Sequence, residues 1–211
     1  HNQNSYYGTT PFMAKQHVGF VQLFWDKTIF KKHALLIGAA MRFTYYDDNT
    51  AATTANNGKL NNPMKTPLPG IFMQEEWSLH SMHKLLLGYR FDYDVTHKAI
   101  HSPRIAYKFS PSKKHTLRLS FGTGFRVVNL FTEDHAALTG SRNVVIAEKL
   151  NPERSYNGNL NYVLRIPTNA VLFTADITGF YSYFTNKIIG DYDSDPNKII
   201  YSNINGHAVS R

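Results

Sequence analysis

Along most of this chain apolar and polar side chains alternate one for one. In "RSYNGNLNYVLRI", Tyr156, Leu160, Tyr162, Leu164 and Ile166 share one parity, while Asn157, Asn159 and Asn161 take the other. In "VLFTADITGFYSY", Val171, Phe173, Ala175, Ile177, Tyr181 and Tyr183 oppose Thr174, Asp176, Thr178 and Ser182. In "KLLLGYRFDYD", Leu85, Leu87, Tyr89, Phe91 and Tyr93 oppose Gly88, Arg90, Asp92 and Asp94. Successive side chains of a strand point to opposite sides, so this period predicts strands with one apolar and one polar face. No segment keeps a helical period. The pattern predicts about nine strands, near 17–26, 34–46, 71–79, 84–95, 101–109, 115–124, 154–165, 170–184 and 198–211. Arg42 and Arg118 fall on polar faces.

Many of these strands reach about ten residues, beyond the ~5–6 usual in globular proteins. The connections "KTIFKKH", "HSMH", "SPSKK" and "PTN" are short, and those near 47–70, 96–100, 125–153 and 185–197 lie at the opposite end and are mostly long. Long alternating antiparallel strands with this asymmetry suit a transmembrane β-barrel, apolar outside and polar inside. A soluble β-sandwich or propeller binding module is the alternative, with its apolar faces buried against one another. Trp25 and Trp77 close strands that enter short turns, and Tyr45, Tyr46, Tyr93, Tyr181, Tyr183 and Phe184 gather at the far end, as interfacial girdles would. Glu75 is the exception: it shares a face with Met73 and Trp77, so it lies near the interface or a bulge shifts the register there.

Composition narrows the function. The chain has 211 residues, no cysteine and a formal charge of +8. The absence of cysteine excludes disulfides and thiolate chemistry. The cations are spread along the sequence with no basic helix, so no nucleic-acid partner is expected. No apolar run approaches the ~20 residues of a membrane helix. The polar opening "HNQNSYYGTT" has no signal-peptide core, and the chain is expected to be an internal piece of a longer one.

"FGTGFRVVNLFTE" followed after a loop by "LNPERSYNGNLNY" resembles the TonB-dependent outer-membrane receptors. In that family a strand ends in a Gly-x-Gly-Phe-Arg-x-Pro-like motif, and after a long external loop the next strand opens with Leu-x-Pro-Glu-x-Ser. Here these are Gly122 to Phe131 and Leu150 to Ser155, with Val128 at the usual proline. "GIFMQEEWSLHSMHKLLLGYRFDYD" is similar to an earlier hairpin of the family. The resemblance implies an all-β, antiparallel transmembrane barrel segment, residues 1–211 being part of a barrel of about 22 strands in the outer membrane of a Gram-negative bacterium. It implies active transport of a scarce solute: an iron chelate, haem, cobalamin or an oligosaccharide. The implied partners are outer-membrane lipid, a plug domain of the same full-length chain, and the TonB complex through an N-terminal part.

Within that frame, Arg90, Asp92, Asp94, Arg118, Asn157, Asn159 and Asn161 are expected to face the lumen and plug, with Asp92 and Asp94 bonded to the plug or to Arg90. Gly122 and Gly124 share their face and are expected where other chain approaches closely. Arg126, Glu133, His135 and Arg142 in the 125–153 loop are the candidate ligand contacts, with Arg126 pointing inward and holding loop or plug. No catalysis is expected: there is no nucleophile elbow, and no carboxylate pair can be placed at a cleft. No cofactor is expected. Phosphate binding at Gly122-x-Gly124 would need a βαβ pattern, which is missing. Haem ligation by His135 lacks a second placed histidine. "DYDSDPNK" spaces Asp191, Asp193 and Asp195 like a calcium loop but puts Pro196 and Ser202 where an EF-hand needs Gly and Glu. His80 and His83 lack the further ligands of a zinc site.

Overall fold

A computed structural model describes residues 1–7, 10–49, 53–55, 59–127, 143–146, 148, 150–204 and 206–211; among them there is no helix. In chain order the strands are β1 (Asn2–Tyr7), β2 (Thr10–Ile29), β3 (His33–Asp48), β4 (Thr54–Ala55), β5 (Leu60–Asn61), β6 (Met64–His80), β7 (His83–Asp94), β8 (Lys98–Phe109), β9 (His115–Arg126), β10 (Asn143–Ile146), β11 (Glu153–Pro167), β12 (Leu172–Thr185), β13 (Ile188–Asp191), β14 (Lys198–Asn203) and β15 (His207–Ser210). Ten of them form one open antiparallel sheet in the order β1-β2-β3-β6-β7-β8-β9-β11-β12-β15. Two small sheets, β4-β5 and β10-β14-β13, stand at its long-loop end.

The strands follow the alternation and run past it. β2 is 20 residues long and β6 is 17. The stretch 64–70 carries Pro67 and Pro69, a signal against a ladder. Here β6 pairs only with β3 through Met64–Pro69, and pairing with β7 begins at Gly70↔Asp92. The prolines therefore lie where one side of the strand has no neighbour to serve. Pro103 obeys the same rule, since β8 meets β9 only from Arg104 onward. Two sequence expectations are corrected. β1, "NQNSYY", has no apolar alternation and is an added edge strand on β2. The segment expected as a single strand over 198–211 is divided: β14 pairs with β13 and β10, and only β15 joins β12.

The connection between β7 and β8 is only Val95–His97, so the division into short and long ends has an exception. Asp94 makes that turn: its Oδ1 accepts from the backbone N–H of Thr96 at 2.9 Å and of His97 at 2.8 Å. Trp25 and Trp77 both lie toward the short-turn end, where Trp77 pairs with His33 and Trp25 with Ile37.

Cross-strand register fixes the faces. Trp77, Leu85, Tyr107, Leu119 and Leu160 form one row across five strands. Directly paired residues share a side of the sheet, so this row and its i±2 neighbours make a continuous apolar face. Leu119 is 55% exposed and Ile177 67%. A patch of this extent is incompatible with a free water-facing surface. Among the described residues no second sheet packs on it. Glu75 lies on this face in unbroken register, so no bulge re-aims it; the one irregularity of the hairpin is at Ser78/His80. It sits toward the short-turn end, bonded to His33 Nδ1, with the His33 ring stacked on Trp77.

Candidate functional site

The opposite face is polar, and its glycines are occupied from within the sheet. Gly88, Arg104 and Gly122 lie in one row, and the Arg104 side chain lies across the space that a Cβ at Gly88 would need. At Gly122 the nearest neighbour of such a Cβ is the Cβ of Arg104, at 3.3 Å, and at Gly124 it is Ser155 Oγ, at 3.0 Å. The close approach expected at these glycines thus comes from neighbouring strands. Phe72 likewise covers Gly38, and the Asp92 carboxylate covers Gly70. Glycine is required where a long side chain lies flat along a sheet. Arg104 was missed by sequence reasoning, although it falls at the polar parity of 101–109.

Arg90, Asp92, Arg118, Asn157, Asn159 and Asn161 lie on the polar face, each with a side-chain partner in the same sheet. Arg90 grips Asp92 in a fork, Nε to Oδ2 at 2.8 Å and Nη2 to Oδ1 at 2.6 Å. Asp92 is fully buried, so the ion pair carries its charge. Arg118 Nη1 donates to Asn161 Oδ1 at 3.0 Å, and Asn161 Nδ2 donates onward to Asp176 and Thr178. Asn157 accepts from Ser182 and donates to Ser155, and Asn159 Nδ2 reaches Ser120 Oγ. Asp94 serves its own turn, as described above.

The two motifs meet in space. Gly124 pairs with Ser155 and Arg126 with Glu153. Arg126 Nε donates to Glu153 Oε2 at 2.9 Å, and Glu153 Oε1 accepts from the backbone N–H of Ile188 at 2.9 Å. One nearly buried carboxylate thereby ties the end of β9, the start of β11 and the start of β13. Arg126 anchors the base of the loops, as a residue following the strand end would. It also lines, with Arg42, Arg90, Phe20 and Leu68, a cavity of about 270 Å³ just below the long-loop end. Gln22, Gln74, Arg90, Ser102 and Arg104 line a second of about 330 Å³ deeper on the same face. Glu133, His135 and Arg142 lie outside the described residues.

Among the described residues no three His, Cys, Asp or Glu side chains converge as metal ligands. The His83 ring stacks on Phe109, and its Nδ1 meets Tyr107 Oη. Asp191 folds its own loop, accepting from Ser194 Oγ and from the backbone N–H of Ser194 and Asp193. Those bonds hold its pKa below the ordinary 3.8. The Lys198 ammonium and the Asn197 N–H lower that of Asp195. Both shifts favour the ionised, folded turn, so their contribution is complete above about pH 4 and is lost as pH falls through the lowered folded pKa. Amide protection of 193–198, corrected for intrinsic exchange, should be unchanged from neutral pH to about pH 5 and fall only below the usual carboxylate range. Asp191→Ala should remove it at every pH.

Comparison with known proteins places this geometry. The chain is 28% identical over 173 residues to an iron-regulated outer membrane virulence protein of Vibrio cholerae, an alignment covering 77% of this chain and 26% of that protein. The siderophore receptor PirA from Pseudomonas aeruginosa superposes with a TM-score of 0.70 at 15% identity, over 95% of this chain and 38% of that one. The FrpB iron transporter from Neisseria meningitidis does so with a TM-score of 0.67 at 14% identity, over 92% and 31%. The chain thus spans well under half the length of these relatives. The family model described as TonB dependent receptor-like, beta-barrel matches residues 1–211, so the chain belongs to the TonB-dependent receptor β-barrel family of the Gram-negative outer membrane.

Proposed function

We propose that the full-length protein is an active transporter that takes up a ferric chelate bearing negative charge, with the polar face of this sheet lining the lumen. The observation that carries the reading is the meeting of Arg42, Arg90 and Arg126 at one cavity below the long-loop end. Arg90 and Arg126 are held in place, and balanced, by Asp92 and Glu153, so the wall is rigid and Arg42 supplies its net positive charge. An anionic chelate suits such a wall better than a neutral oligosaccharide does, because charge-assisted hydrogen bonds are the stronger ones. The relatives named for iron regulation, siderophore reception and iron transport support the same class of solute. Haem and cobalamin are the competing solutes.

In this reading Glu133, His135 and Arg142 of the external loop make first contact with the solute. The polar residues around Arg90, Arg118 and Asn161 keep the wall ordered while a plug domain fills the lumen. The TonB complex supplies the energy through a part of the protein outside this chain. No chemical step is involved.

The test is uptake of radiolabelled ferric chelates by cells carrying the full-length receptor. Arg42→Gln should weaken the apparent affinity for the chelate about tenfold, since a hydrogen bond to a charged group contributes ~1.5–3 kcal/mol. His135→Ala and a shortened 132–145 loop should slow capture. Wild-type rate and affinity in all three variants, or uptake of a neutral oligosaccharide instead, would overturn the reading.

A further inference from the structure

The short-turn end of the sheet carries a charge pattern that transport does not use. Lys31 and Lys32 form the tip between β2 and β3, and Lys113 and Lys114 the tip between β8 and β9; all four are exposed. His80 and His83 occupy the turn between them, and Arg165 stands beside the next one. Among the described residues none of the four lysines is in an ion pair. The acids nearby are few: Glu76 is taken by Lys84, Glu75 contacts His33, and Asp26 lies on the polar face. The long-loop end differs, with Asp47, Asp48, Asp94, Asp191, Asp193 and Asp195. Lysines and arginines stand at both ends, but at the long-loop end acids largely balance them, so the net positive charge of the described residues lies at the short-turn end.

Rings accompany the lysines on the lipid side. Trp25 and Trp77 lie on the apolar face at this level, with Lys27 Nζ 5.8 Å from the Trp25 ring. Phe30 is 87% exposed at its turn. Both Phe30 and Lys31 have positive φ, 50° and 59°, so the tight turn holds the ring and the ammonium outward. In water, a phenylalanine so exposed beside two unpaired lysines is a liability. At a bilayer boundary it is an anchor, with the ring among glycerol and acyl carbons and the ammonium groups at phosphate level. Short turns are the periplasmic ends of such barrels.

We propose that this rim is a docking surface for anionic glycerophospholipid of the periplasmic leaflet. Lys31, Lys32, Lys113 and Lys114 contact the headgroup phosphates, and Trp25, Phe30 and Trp77 fix the depth. The two lysine turns are four strands apart, roughly 19 Å at ~4.8 Å per strand. They are independent points that retain separate lipids. The rim sets which lipids surround the receptor and the height at which it sits, whatever solute passes through it.

The test uses the purified full-length receptor in detergent mixed with phosphatidylcholine, with and without phosphatidylglycerol, read by native mass spectrometry of retained lipid. Wild type should retain phosphatidylglycerol in preference to phosphatidylcholine. Replacing all four lysines by glutamine should cut that preference roughly tenfold or more, since each cation near an anionic surface contributes ~1 kcal/mol. Replacing them by arginine should preserve it. Folding of each variant is checked by its heat-modifiable gel migration. A mutation-free arm raises the salt to about 1 M, where the Debye length is ~3 Å, and should abolish the preference. Equal retention of both lipids by wild type, or unchanged retention in the glutamine variant, would overturn the proposal. Displacement of the lipid by inorganic phosphate alone would reduce the rim to an adventitious anion site.

Discussion

Asp92→Ala in the full-length receptor should destabilise the barrel by about 3 kcal/mol, the lower part of the range for breaking a buried ion pair. The lower part applies because Arg90 keeps 38% of its side chain exposed and can recover some hydration, whereas Asp92 has none. The loss should appear as a lower temperature for conversion to the unfolded gel form. Asp92→Asn keeps the shape and one acceptor and should lose less. Gly70→Ala tests the same contact from the other side, because a Cβ at Gly70 collides with the Asp92 carboxylate and lies 3.1 Å from the Phe91 carbonyl oxygen. If both act by displacing one carboxylate from one guanidinium, the double variant should fall well short of the sum of the singles. Full additivity would mean that Gly70 serves something other than Asp92.

That pair shows what could be read from the sequence and what could not. Alternation placed Arg90, Asp92 and Asp94 on one face because the boundary between lipid and lumen imposes period two on every strand. The sequence offered Asp92 and Asp94 the plug or Arg90 as partner, and Asp92 pairs with Arg90, two residues away on the same strand. Partners on other strands depend on cross-strand register, and register depends on turn lengths that the alternation leaves open. Asp94, on the same face, closes the turn at Val95–His97. Asn157, Asn159 and Asn161 bond across their rows on the polar face, to Ser182, Ser120 and Thr178. Gly122 and Gly124 were read as points where other chain approaches; within the sheet their neighbours are Arg104 and Ser155, and Arg104, which also covers Gly88, was not singled out by the sequence.

The two motifs were more legible, since their Arg126 and Glu153 are opposite charges at the ends of adjacent strands. Their ion pair is the simplest closure of the loop between them. Within that loop, "NVVI" pairs in parallel with "KIIY" some fifty residues away. Four residues, three of them apolar, have no period long enough to announce a strand. The same holds for β1, where a polar edge has no buried face to impose alternation. Pro67 and Pro69 sit in a strand because β6 is an edge over those residues, with β3 as its only neighbour.

The apolar face yields the second large effect. Leu119→Arg should cost about 2–4 kcal/mol, the value for a cation at the bilayer midplane of a barrel. Leu119 lies near the middle of β9, four residues from the short turn at His115 and flanked in its row by Tyr107 and Leu160. An arginine there has a long way to either interface and no acid beside it on that face. Ile166→Arg, next to the turn at the end of β11, should cost no more than about 1 kcal/mol, because the side chain can reach the headgroups. Asn159→Arg places the same charge in the neighbouring row but on the polar face, where water and Ser120 can solvate it, and should also be mild. The order Leu119 well above Ile166 and Asn159 is therefore a statement about solvent as well as depth. It can be read as the yield of folded barrel in lipid vesicles. Equal tolerance of arginine at Leu119 and Asn159 would mean that the apolar face meets something other than lipid. A large cost at Ile166 would mean that the membrane boundary lies beyond the short turns, which would also take the Lys31 and Lys113 tips out of reach of the headgroups.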